Sequence, residues 1–355
     1  MSFSNPESPA SGVRVCFDTD DKAWDSFLEG STLGHFHQSS LWAKAKAVDG
    51  WRPVRRVLTR DDRIVGGFQM LEKRGPLGRM GYIYKGPVVE GEEPAVVERV
   101  VQAVVETARA CAVRALIVQP PDASMMSDPP WSRHGFLPNH LVATISATLV
   151  VDLSGGLEEV RKRMRRTTRA EIRQASERGI RVRPGGKKDI ALFFSLMADT
   201  CERQKSSPSP DRADALQAVW DAFHPSGKAR LFLAECEGDT VAGLLCLCFG
   251  RRVVAWKRGW SGAYGDRNPN QLVNYEAIKW AVESGYQVFD FDAMDREMAE
   301  TLLRGDALSD SQKRSRHFIN LAYGSRPVLL AASQVYIPSA FLRSCYRLLF
   351  SWKHL

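Results

Sequence analysis

The sequence predicts an α/β protein built from two copies of one structural unit. Each copy would contain a hairpin, a third strand, a helix and a last strand, in that order. The first copy runs through residues 51–120 and the second through residues 230–292. The polar turns of the two hairpins correspond, because Asp62 stands in the first where Gly238 stands in the second. A pattern that recurs in this way indicates an internal repeat.

Local patterns justify the elements of each copy. In the second copy, apolar residues at three- and four-residue spacing predict a helix that stops at Gly285: Leu272, Tyr275, Ile278 and Val282. Before this helix lie a short apolar strand, 253–259, and a loop rich in Gly, Asn and Pro, 262–270. In the first copy the glycine-rich segment 75–81 lies between two strands, so it predicts a hairpin turn rather than a phosphate-binding loop.

Length and composition fit a globular protein of two domains. The chain has 355 residues, of which 44% are hydrophobic and 25% are charged. We predict a disordered leader at 1–12, a first domain at 13–150 that is completed by 325–355, and a second domain at 151–324. The best apolar stretch, 241–249, is far shorter than the ~20 residues that a membrane-spanning helix needs.

Charge and cysteine usage narrow the possible classes further. The formal net charge of +8 favours anionic partners such as phosphates, nucleic acid or a lipid surface. Seven cysteines are scattered without a zinc spacing, which fits a reduced, cytoplasmic setting without a disulfide framework. Cys246 and Cys248 alternate along a strand as small hydrophobes, and His35 and His37 lack a third ligand at a recognisable spacing. We expect no metal and no cofactor.

Five segments of the chain share their order and spacing with a known family. They read FHQSSLWAKAKAVDGWRPV, YIYKGPVV, DLSGGLEEVRKRMRRTTRAEIRQASERGIRV, TCERQ and PNQLVNYEAIKWAVESGYQVFDF. In these segments the chain resembles the FemABX family of non-ribosomal peptidyltransferases. The resemblance implies two tandem GNAT-like domains, each a mixed, mostly antiparallel sheet flanked by helices. It also implies an enzyme that joins an aminoacyl group from aminoacyl-tRNA to an amine, usually in a peptidoglycan precursor.

The most basic stretch of the chain, 161–183, holds ten Lys and Arg residues against two Glu residues. A solvated helix face is the ordinary explanation of a charge run, but this ratio is too one-sided for a helix that neutralises itself. We therefore predict phosphate contacts, with tRNA as the partner that the resemblance implies. The candidates are Arg161, Lys162, Arg165, Arg166, Arg169 and Arg173.

Residues of the matched segments are the candidates for substrate binding. They are Trp42, Lys46, Arg203, Trp256, Lys257, Arg258 and Tyr275. The resemblance implies that Lys46 contacts phosphates of the acceptor and that the segment of Arg203 turns toward substrate, although ordinary surface side chains would explain both. Lys257 and Arg258 are neighbours on a strand, so they should point to opposite faces and at most one should reach the substrate. Family members that bind the peptidoglycan precursor have an aromatic residue where Lys257 stands. The acceptor is therefore either that precursor or a small peptide or amine of specialised metabolism.

Two polar residues are the catalytic candidates: Asp292, at the end of the second copy, and Asn320, nearer the C-terminus of the chain. The family commonly carries Phe-Lys-x-x-Phe-Gly with its lysine at the reacting ester, and Asn320 stands where that lysine would be. Holding the reactants together is worth about 7–11 kcal/mol, against roughly 3–5 kcal/mol for one acid–base group. Transfer could therefore survive the loss of the lysine. Asp292 is a candidate acceptor for the proton of the attacking amine, and a carboxylate that caps the next turn is the alternative.

Two other functions remain open. An acyl-CoA-dependent GNAT N-acyltransferase would use the same fold, but it needs a pyrophosphate cradle at a helix N-terminus. In the second copy the corresponding loop, 265–271, has no glycine after Gly265, and its Pro269 has no amide hydrogen. A non-catalytic descendant of the transferases is the third possibility, and Asn320 is its support.

The C-terminal segment predicts an amphipathic helix. Its apolar side would consist of Phe341, Leu342, Cys345, Leu348, Leu349 and Trp352, with Arg343, Arg347 and Lys353 elsewhere. We expect the apolar side to pack against the first domain. The alternative is a peripheral contact with an anionic membrane, which would suit a lipid-linked acceptor.

Overall fold

The computed structural model describes residues 13–16, 20–76, 78–122 and 131–350. The predicted leader and the tail residues Trp352 and Lys353 lie outside these ranges. The chain divides into two compact units. The first takes in the described parts of 1–43, 49–144 and 330–355, and the second takes in 44–48 and 145–329.

The elements alternate between strands and helices along the chain. The strands are β1 Arg14–Cys16, β2 Arg52–Arg60, β3 Arg63–Gly75, β4 Gly78–Tyr84, β5 Val88–Val89, β6 Val113–Gln119, β7 Phe136–Pro138, β8 Ala147–Asp152, β9 Arg181–Gly185, β10 Ala229–Cys236, β11 Asp239–Phe249, β12 Arg252–Trp260, β13 Val288–Asp290, β14 Arg326–Leu329 and β15 Gln334–Tyr336. The helices are α1 Asp21–Gly30, α2 Ser40–Lys46, α3 Pro94–Ala110, α4 Gly156–Arg163, α5 Arg166–Glu177, α6 Ile190–Arg203, α7 Ala213–Phe223, α8 Pro269–Glu283, α9 Arg296–Arg304, α10 Asp310–Lys313, α11 Arg316–Leu321 and α12 Ala340–Phe350.

Each unit contains one mixed, mostly antiparallel sheet, as the sequence predicts. The first sheet has the order β1-β2-β3-β4-β6-β15-β7, with β5 also paired to β3. The second has the order β14-β8-β13-β12-β11-β10-β9. The parallel pairs are β4 with β6 in the first sheet and β12 with β13 in the second.

The predicted repeat is confirmed by these two parallel pairs. In the first unit β4 is followed by α3 and then by β6, and in the second β12 is followed by α8 and then by β13. The hairpins β2–β3 and β10–β11 also correspond. Both turn through two residues of positive φ, Asp61 and Asp62 in one, Glu237 and Gly238 in the other. Turns of this kind match the right-handed twist of the strands they join.

Two segments differ from the predicted domain limits. Strand β8 pairs with both β13 and β14 of the second sheet. Residues 147–150 and 326–329 therefore belong to the second sheet rather than to the first domain, because β8 covers the free edge of β13. The last predicted strand of the repeat is also shorter than expected, since β13 ends at Asp290. The other predicted limits stay predictions.

One part of the core of the second unit lies between its sheet and α8. Cys246 and Cys248 are buried there, in agreement with their alternation along the strand. Burial raises the pKa of the Cys248 thiol to about 12, so it behaves as a neutral, apolar group. Within the described residues, no helix is both long enough and apolar enough to cross a membrane.

The C-terminal helix α12 packs differently from the prediction. Its buried residue is Tyr346, which lies in a small cluster with Ile117 and Val335 of the first sheet. Phe341 and Leu348, on the predicted apolar side, are 75% and 77% exposed. The expected packing of that side is therefore wrong. The phenol of Tyr346 donates to the carbonyl of residue 138 at 2.7 Å and accepts from the amide of residue 140 at 2.8 Å, and an apolar pattern does not register such polar anchors.

Candidate functional site

Strand β12 pairs with two strands, β11 and β13, only in the first half of its length. Among the described residues it pairs with β13 at 252–254 and no further. Its second half, 255–260, keeps β11 on one side. The chain after β13 stays with β8 instead, because the amide of Phe291 donates to the carbonyl of Leu149 at 2.8 Å. The second sheet therefore has an open strand edge along the outer half of β12.

The equivalent strands of the first unit stay joined. Strands β4 and β6 pair from Arg79 and Val113 to Tyr84 and Gln119. The amide of Gly86 then continues the contact to the carbonyl of Gln119 at 3.1 Å. The open edge next to β12 is therefore a feature by which the second copy differs from the first.

A β-bulge decides which side chains stand at the open edge. The register between β11 and β12 shifts at Trp256, so that Cys246 pairs with Ala255 while Leu245 pairs with Lys257. Ala255 lies in the core with α8. Without the extra residue Lys257 would follow Ala255 on that face, since side chains alternate along a strand. The bulge sends Lys257 to the face of α6 and brings Arg258 to the face of α8.

Lys257 is a half-buried cation among charges of both signs. Burial is the main cause that lowers its pKa, and the charges of Arg316 and Lys46 lower it further. Asp292 and Cys201 act in the opposite direction and raise the pKa. Lys46, predicted from the matched segments, and Lys257 therefore belong to one electrostatic cluster in the second unit.

Arg258 approaches the same cluster from the other face of the strand. Its guanidinium lies 5.1 Å from the centroid of the Phe291 ring. Burial lowers its pKa, whereas the carboxylate of Asp292 raises it. Lys257 and Arg258 point to opposite faces, as predicted, yet Asp292 and Arg316 act on both. The expectation that at most one of the two reaches the substrate stays a prediction.

The two carboxylates at the end of β13 have different surroundings. Asp290 is buried, lies 2.6 Å from Arg252 and accepts a hydrogen bond from the hydroxyl of Thr148. Asp292 follows in the left-handed region, with φ of 68°, and its amide donates to Asp290 at 2.8 Å. Asp290 therefore fixes the turn, and Asp292 stands beyond it near the cations of β12.

Helix α11 brings further residues to the cluster. The predicted Asn320 is buried on this helix, and its carbonyl accepts from the hydroxyl of Ser325 at 3.1 Å. Arg316, one turn earlier, acts on the pKa of both strand cations. His317 follows it, and burial and then Arg316 lower the pKa of its imidazole. Arg316 and His317 are not among the residues predicted from the sequence, although their spacing of four and three residues before Asn320 is a helical signal.

The remaining substrate-binding candidates lie in varied surroundings. Arg203 donates to the carbonyl of Ser261 at 2.9 Å and lies 5.0 Å from the centroid of the Trp260 ring, so it braces the loop after β12. Trp256 is buried, and the Lys257 ammonium lies 4.8 Å from its ring centroid. Tyr275 packs at the edge of the second core. Trp42 is buried within the first unit. Their roles in binding stay predictions.

The basic stretch forms two helices rather than one, α4 and α5. Three of the six candidates form ion pairs with carboxylates of their own helices: Arg161 with Glu158, Lys162 with Glu159, and Arg173 with Glu177. The guanidinium of Arg165 lies 4.1 Å from the centroid of the Phe318 ring. Arg166 and Arg169 are exposed, and neither forms an ion pair with another described residue. The stretch is less one-sided than predicted, because Glu158 and Glu159 lie just before it.

Comparisons with known proteins agree with this architecture. Residues 19–130 match a model described as the FemAB family, and residues 162–306 match one described as an acetyltransferase (GNAT) domain. The fold resembles that of FemX with a TM-score of 0.78 at 19% identity, covering 95% of this chain and 99% of that one. It also resembles a tandem GNAT protein from the clavulanic acid biosynthesis pathway, with a TM-score of 0.50 at 11% identity, covering 91% and 98%. The class of protein is therefore a tandem GNAT-like α/β protein.

Sequence relatives narrow this class. The lipid II:glycine glycyltransferase of Staphylococcus saprophyticus is 26% identical over 233 residues, which are 62% of this chain and 56% of that protein. Its counterpart in Staphylococcus haemolyticus is 24% identical over 229 residues, 61% of this chain and 54% of that protein. The chain thus spans little more than half the length of these relatives. With the FemAB and GNAT matches and the FemX fold, it is similar to members of the FemABX family.

Proposed function

We propose that the protein is an aminoacyltransferase that forms an amide bond between an aminoacyl group and an amine acceptor. The donor would be aminoacyl-tRNA, and the acceptor a peptidoglycan precursor peptide or a small peptide or amine of specialised metabolism. Relatives named for transfer of glycine to lipid II support the first acceptor, and the family resemblance supports a cytoplasmic setting. The observation that carries the proposal is the open edge of β12, where the carboxylate of Asp292 acts electrostatically on the cations Lys257 and Arg258 and raises the pKa of both.

Amide formation can be balanced with the groups at this edge. A neutral amine attacks the ester carbonyl, so that a C–N bond forms and the C–O bond to the ribose breaks. The amine loses one proton and the ribose hydroxyl gains one. Asp292 would accept the amine proton, while Lys257 would stabilise the negative charge that develops on the carbonyl oxygen. Asn320 would add a hydrogen-bond donor without a charge.

The loop before α8 favours aminoacyl-tRNA over acetyl-CoA as the donor. A CoA pyrophosphate needs free backbone amides at a helix N-terminus. Here the amides of Arg267 and Asn268 already donate to carbonyls of the loop, at 3.0 and 3.2 Å. Pro269 begins α8 without an amide hydrogen. The acyl-CoA alternative therefore has a poorly suited loop. The non-catalytic alternative has only Asn320 in its favour.

The proposal is tested by transfer from a mixed pool of radiolabelled aminoacyl-tRNA, with candidate acceptors and with acetyl-CoA as a competing donor. We expect label to leave tRNA and appear on the amine of one acceptor. Fractionation of the pool then identifies the amino acid. Label that stays on tRNA while acetyl-CoA is consumed would mean that the family fold is retained with a different donor, and the proposal would be wrong.

Arg166 and Arg169, the exposed arginines of α5 that form no ion pair with another described residue, are the proposed contacts for tRNA phosphates. Replacing Arg166 and Arg169 by Gln should lower the slope of log affinity against log salt by about 1.4 to 1.8, since each phosphate contact contributes about 0.7 to 0.9. Filter binding of tRNA between low and moderate salt measures this slope. The matched control is Arg161→Gln with Arg173→Gln, which removes the same charge from residues already in ion pairs. An unchanged slope for the first pair would remove α5 from the tRNA site.

The C-terminal helix α12 supports a peripheral contact with an anionic membrane, as a lipid-linked acceptor would require. In the described part of the first unit, every large hydrophobic side chain that is exposed lies on α12 or on the nearby loop. These side chains are Leu141, Val142, Phe341, Leu342, Leu348 and Leu349. His140 of the loop lies 5.2 Å from Phe350 of the helix, between ring centroids. Arg347 is exposed on the same helix and would meet anionic headgroups.

Replacing Phe341 and Leu348 by Ser should weaken binding to phosphatidylglycerol vesicles by roughly tenfold or more, because each apolar side chain is worth about 1.5–3 kcal/mol when buried. Vesicle flotation measures the bound fraction against lipid concentration. Leu192→Ser with Leu303→Ser is the control, since these residues are exposed in the second unit. Equal loss in both pairs, or a dimer that dissociates in the first pair alone, would contradict a membrane role.

A further inference from the structure

The guanidinium of Arg258 is a buried cation whose hydrogen-bonding capacity is not used. Its Nε and Nη2 atoms are inaccessible to water, and neither has a hydrogen-bond partner among the described residues. The described part of the chain gives it no ion pair within 4.0 Å, although Asp292 is near enough to raise its pKa. Native proteins normally pair buried charges and satisfy buried donors, so an orphaned arginine requires an explanation.

The surroundings of Arg258 hold the guanidinium in place without neutralising it. The ring of Phe291 lies 5.1 Å from it and offers a cation–π contact, which orients the plane but supplies no acceptor. Arg316 is a second cation nearby and lowers the pKa of Arg258, which adds repulsion. A buried arginine without an ion-pair partner destabilises the folded protein unless an anion binds to it.

Helix α11 contributes a second unsatisfied group. The Nδ1 atom of His317 is buried, and none of the described residues offers it a hydrogen bond. Arg258 is close enough to lower the pKa of this imidazole. The two unpartnered polar groups, one at the bulged end of β12 and one on α11, are therefore close enough to interact electrostatically. A shared oxyanion would satisfy both, since guanidinium donors match phosphate and carboxylate oxygens.

We propose that Arg258 and His317 form a binding site for an oxyanion of the substrate, a phosphate or a carboxylate. This anion would form the ion pair with Arg258 that no described carboxylate of the chain forms. The identity of the substrate that carries the oxyanion rests on the proposed aminoacyl transfer. The presence of the anion site does not depend on it. Arg258 acts here as a specificity residue that holds a charged group of donor or acceptor next to Asp292.

The first experiment measures anion binding without any transfer reaction. Wild-type protein is titrated with inorganic phosphate and with inorganic pyrophosphate at constant ionic strength, and the melting temperature is followed. We expect the melting temperature of the wild type to rise with anion concentration, and the rise to disappear in Arg258→Met. The control Arg251→Met, at an exposed arginine in the turn before β12, should keep the wild-type response.

The stability of Arg258→Met without anion separates this site from a structural role. Because the arginine is unpaired, a methionine of similar length should leave the melting temperature unchanged or raise it. A lower melting temperature would mean that the guanidinium is already satisfied in the folded chain, and would overturn the proposal. Arg258→Lys restores the charge without the fork of donors, so it should recover part of the anion response. If Arg258→Met does not fold, a response in Arg258→Lys that is smaller than in the wild type supports the proposal, and an undiminished response overturns it.

The second experiment identifies the source of the oxyanion through KM. Aminoacylated adenosine with and without its 5′-phosphate serves as the donor, and acceptor peptides with and without a phosphate or carboxylate serve as the acceptor. Arg258→Met should raise KM about tenfold or more for only those substrates that bear the anion, with kcat less affected. An equal effect on charged and uncharged substrates would contradict the site. Phosphate binding at Arg258 without any transfer would sink the proposed function while leaving the anion site in place.

Discussion

Asp292→Asn is expected to lower kcat for amide formation by about 10²–10⁴-fold, the usual contribution of one general base. The melting temperature should hardly change. Asn is nearly isosteric with Asp and tolerates the left-handed backbone that this position adopts, with φ of 68°. The amide of residue 292 would still donate to the carboxylate of Asp290. The variant therefore removes the proton acceptor while the turn that presents it stays intact.

Single-turnover transfer from a purified aminoacyl-tRNA is the measurement, because it reports the chemical step without product release. Asp266→Asn, at an exposed carboxylate of the loop before α8, is the control and should behave as wild type. Turnover that survives in Asp292→Asn would remove this carboxylate from the mechanism. It would leave Lys257 and His317, whose pKa values burial lowers, as the other candidates for a proton acceptor in this cluster.

The repeat could be predicted from the sequence because its signals are local. The hairpin turns at Asp61–Asp62 and Glu237–Gly238 impose positive φ on neighbouring residues, and such positions favour particular residue types. The helix α8 is readable from the three- and four-residue spacing of its apolar side chains. Each element can be predicted from its own sequence, independently of the elements that it packs against. Both sheets contain the elements in the predicted order.

The open edge of β12 could not be predicted, because it depends on pairing between distant strands. Val253, Ala255 and Lys257 alternate in the sequence as if all three shared one face. The bulge at Trp256 breaks that alternation, and only the register with β11 reveals it. A strand shift of one residue moves every later side chain to the other face. The approach of Arg258 to the α8 face therefore follows from the register and is invisible in the strand's own sequence.

The contacts of the basic stretch and of the C-terminal helix could not be predicted from their charged and apolar composition. Residues 161–183 contain few carboxylates to neutralise their cations, whereas Glu158 and Glu159 precede this stretch by less than one turn of helix and pair with two of its cations. The C-terminal helix shows the same limit for apolar patterns. Its single buried residue, Tyr346, is fixed by two polar contacts of its hydroxyl, while the more apolar side is exposed.

Asp290→Ala should destabilise the second unit by about 3 kcal/mol, because it leaves the cation of Arg252 without its buried partner. The loss lies at the lower end of the range for buried ion pairs, because the side chain of Arg252 is 27% exposed and keeps some contact with water. The same change removes the acceptor for Thr148 and for the amide of Asp292. At roughly 2–4 °C per kcal/mol for a unit of this size, the melting temperature should fall by about 6–12 °C.

Thermal unfolding followed by circular dichroism measures this loss, with Asp266→Ala as the exposed control. Transfer should also decrease in Asp290→Ala at temperatures where the protein is folded, because the turn that holds Asp292 is no longer fixed. The two carboxylates are therefore separable: loss at Asp292 should affect turnover alone, and loss at Asp290 should affect both stability and turnover. A melting temperature within a degree of wild type for Asp290→Ala would contradict the role of Asp290 as the support of the site. It would mean that the ion pair with Arg252 does not stabilise the folded second unit.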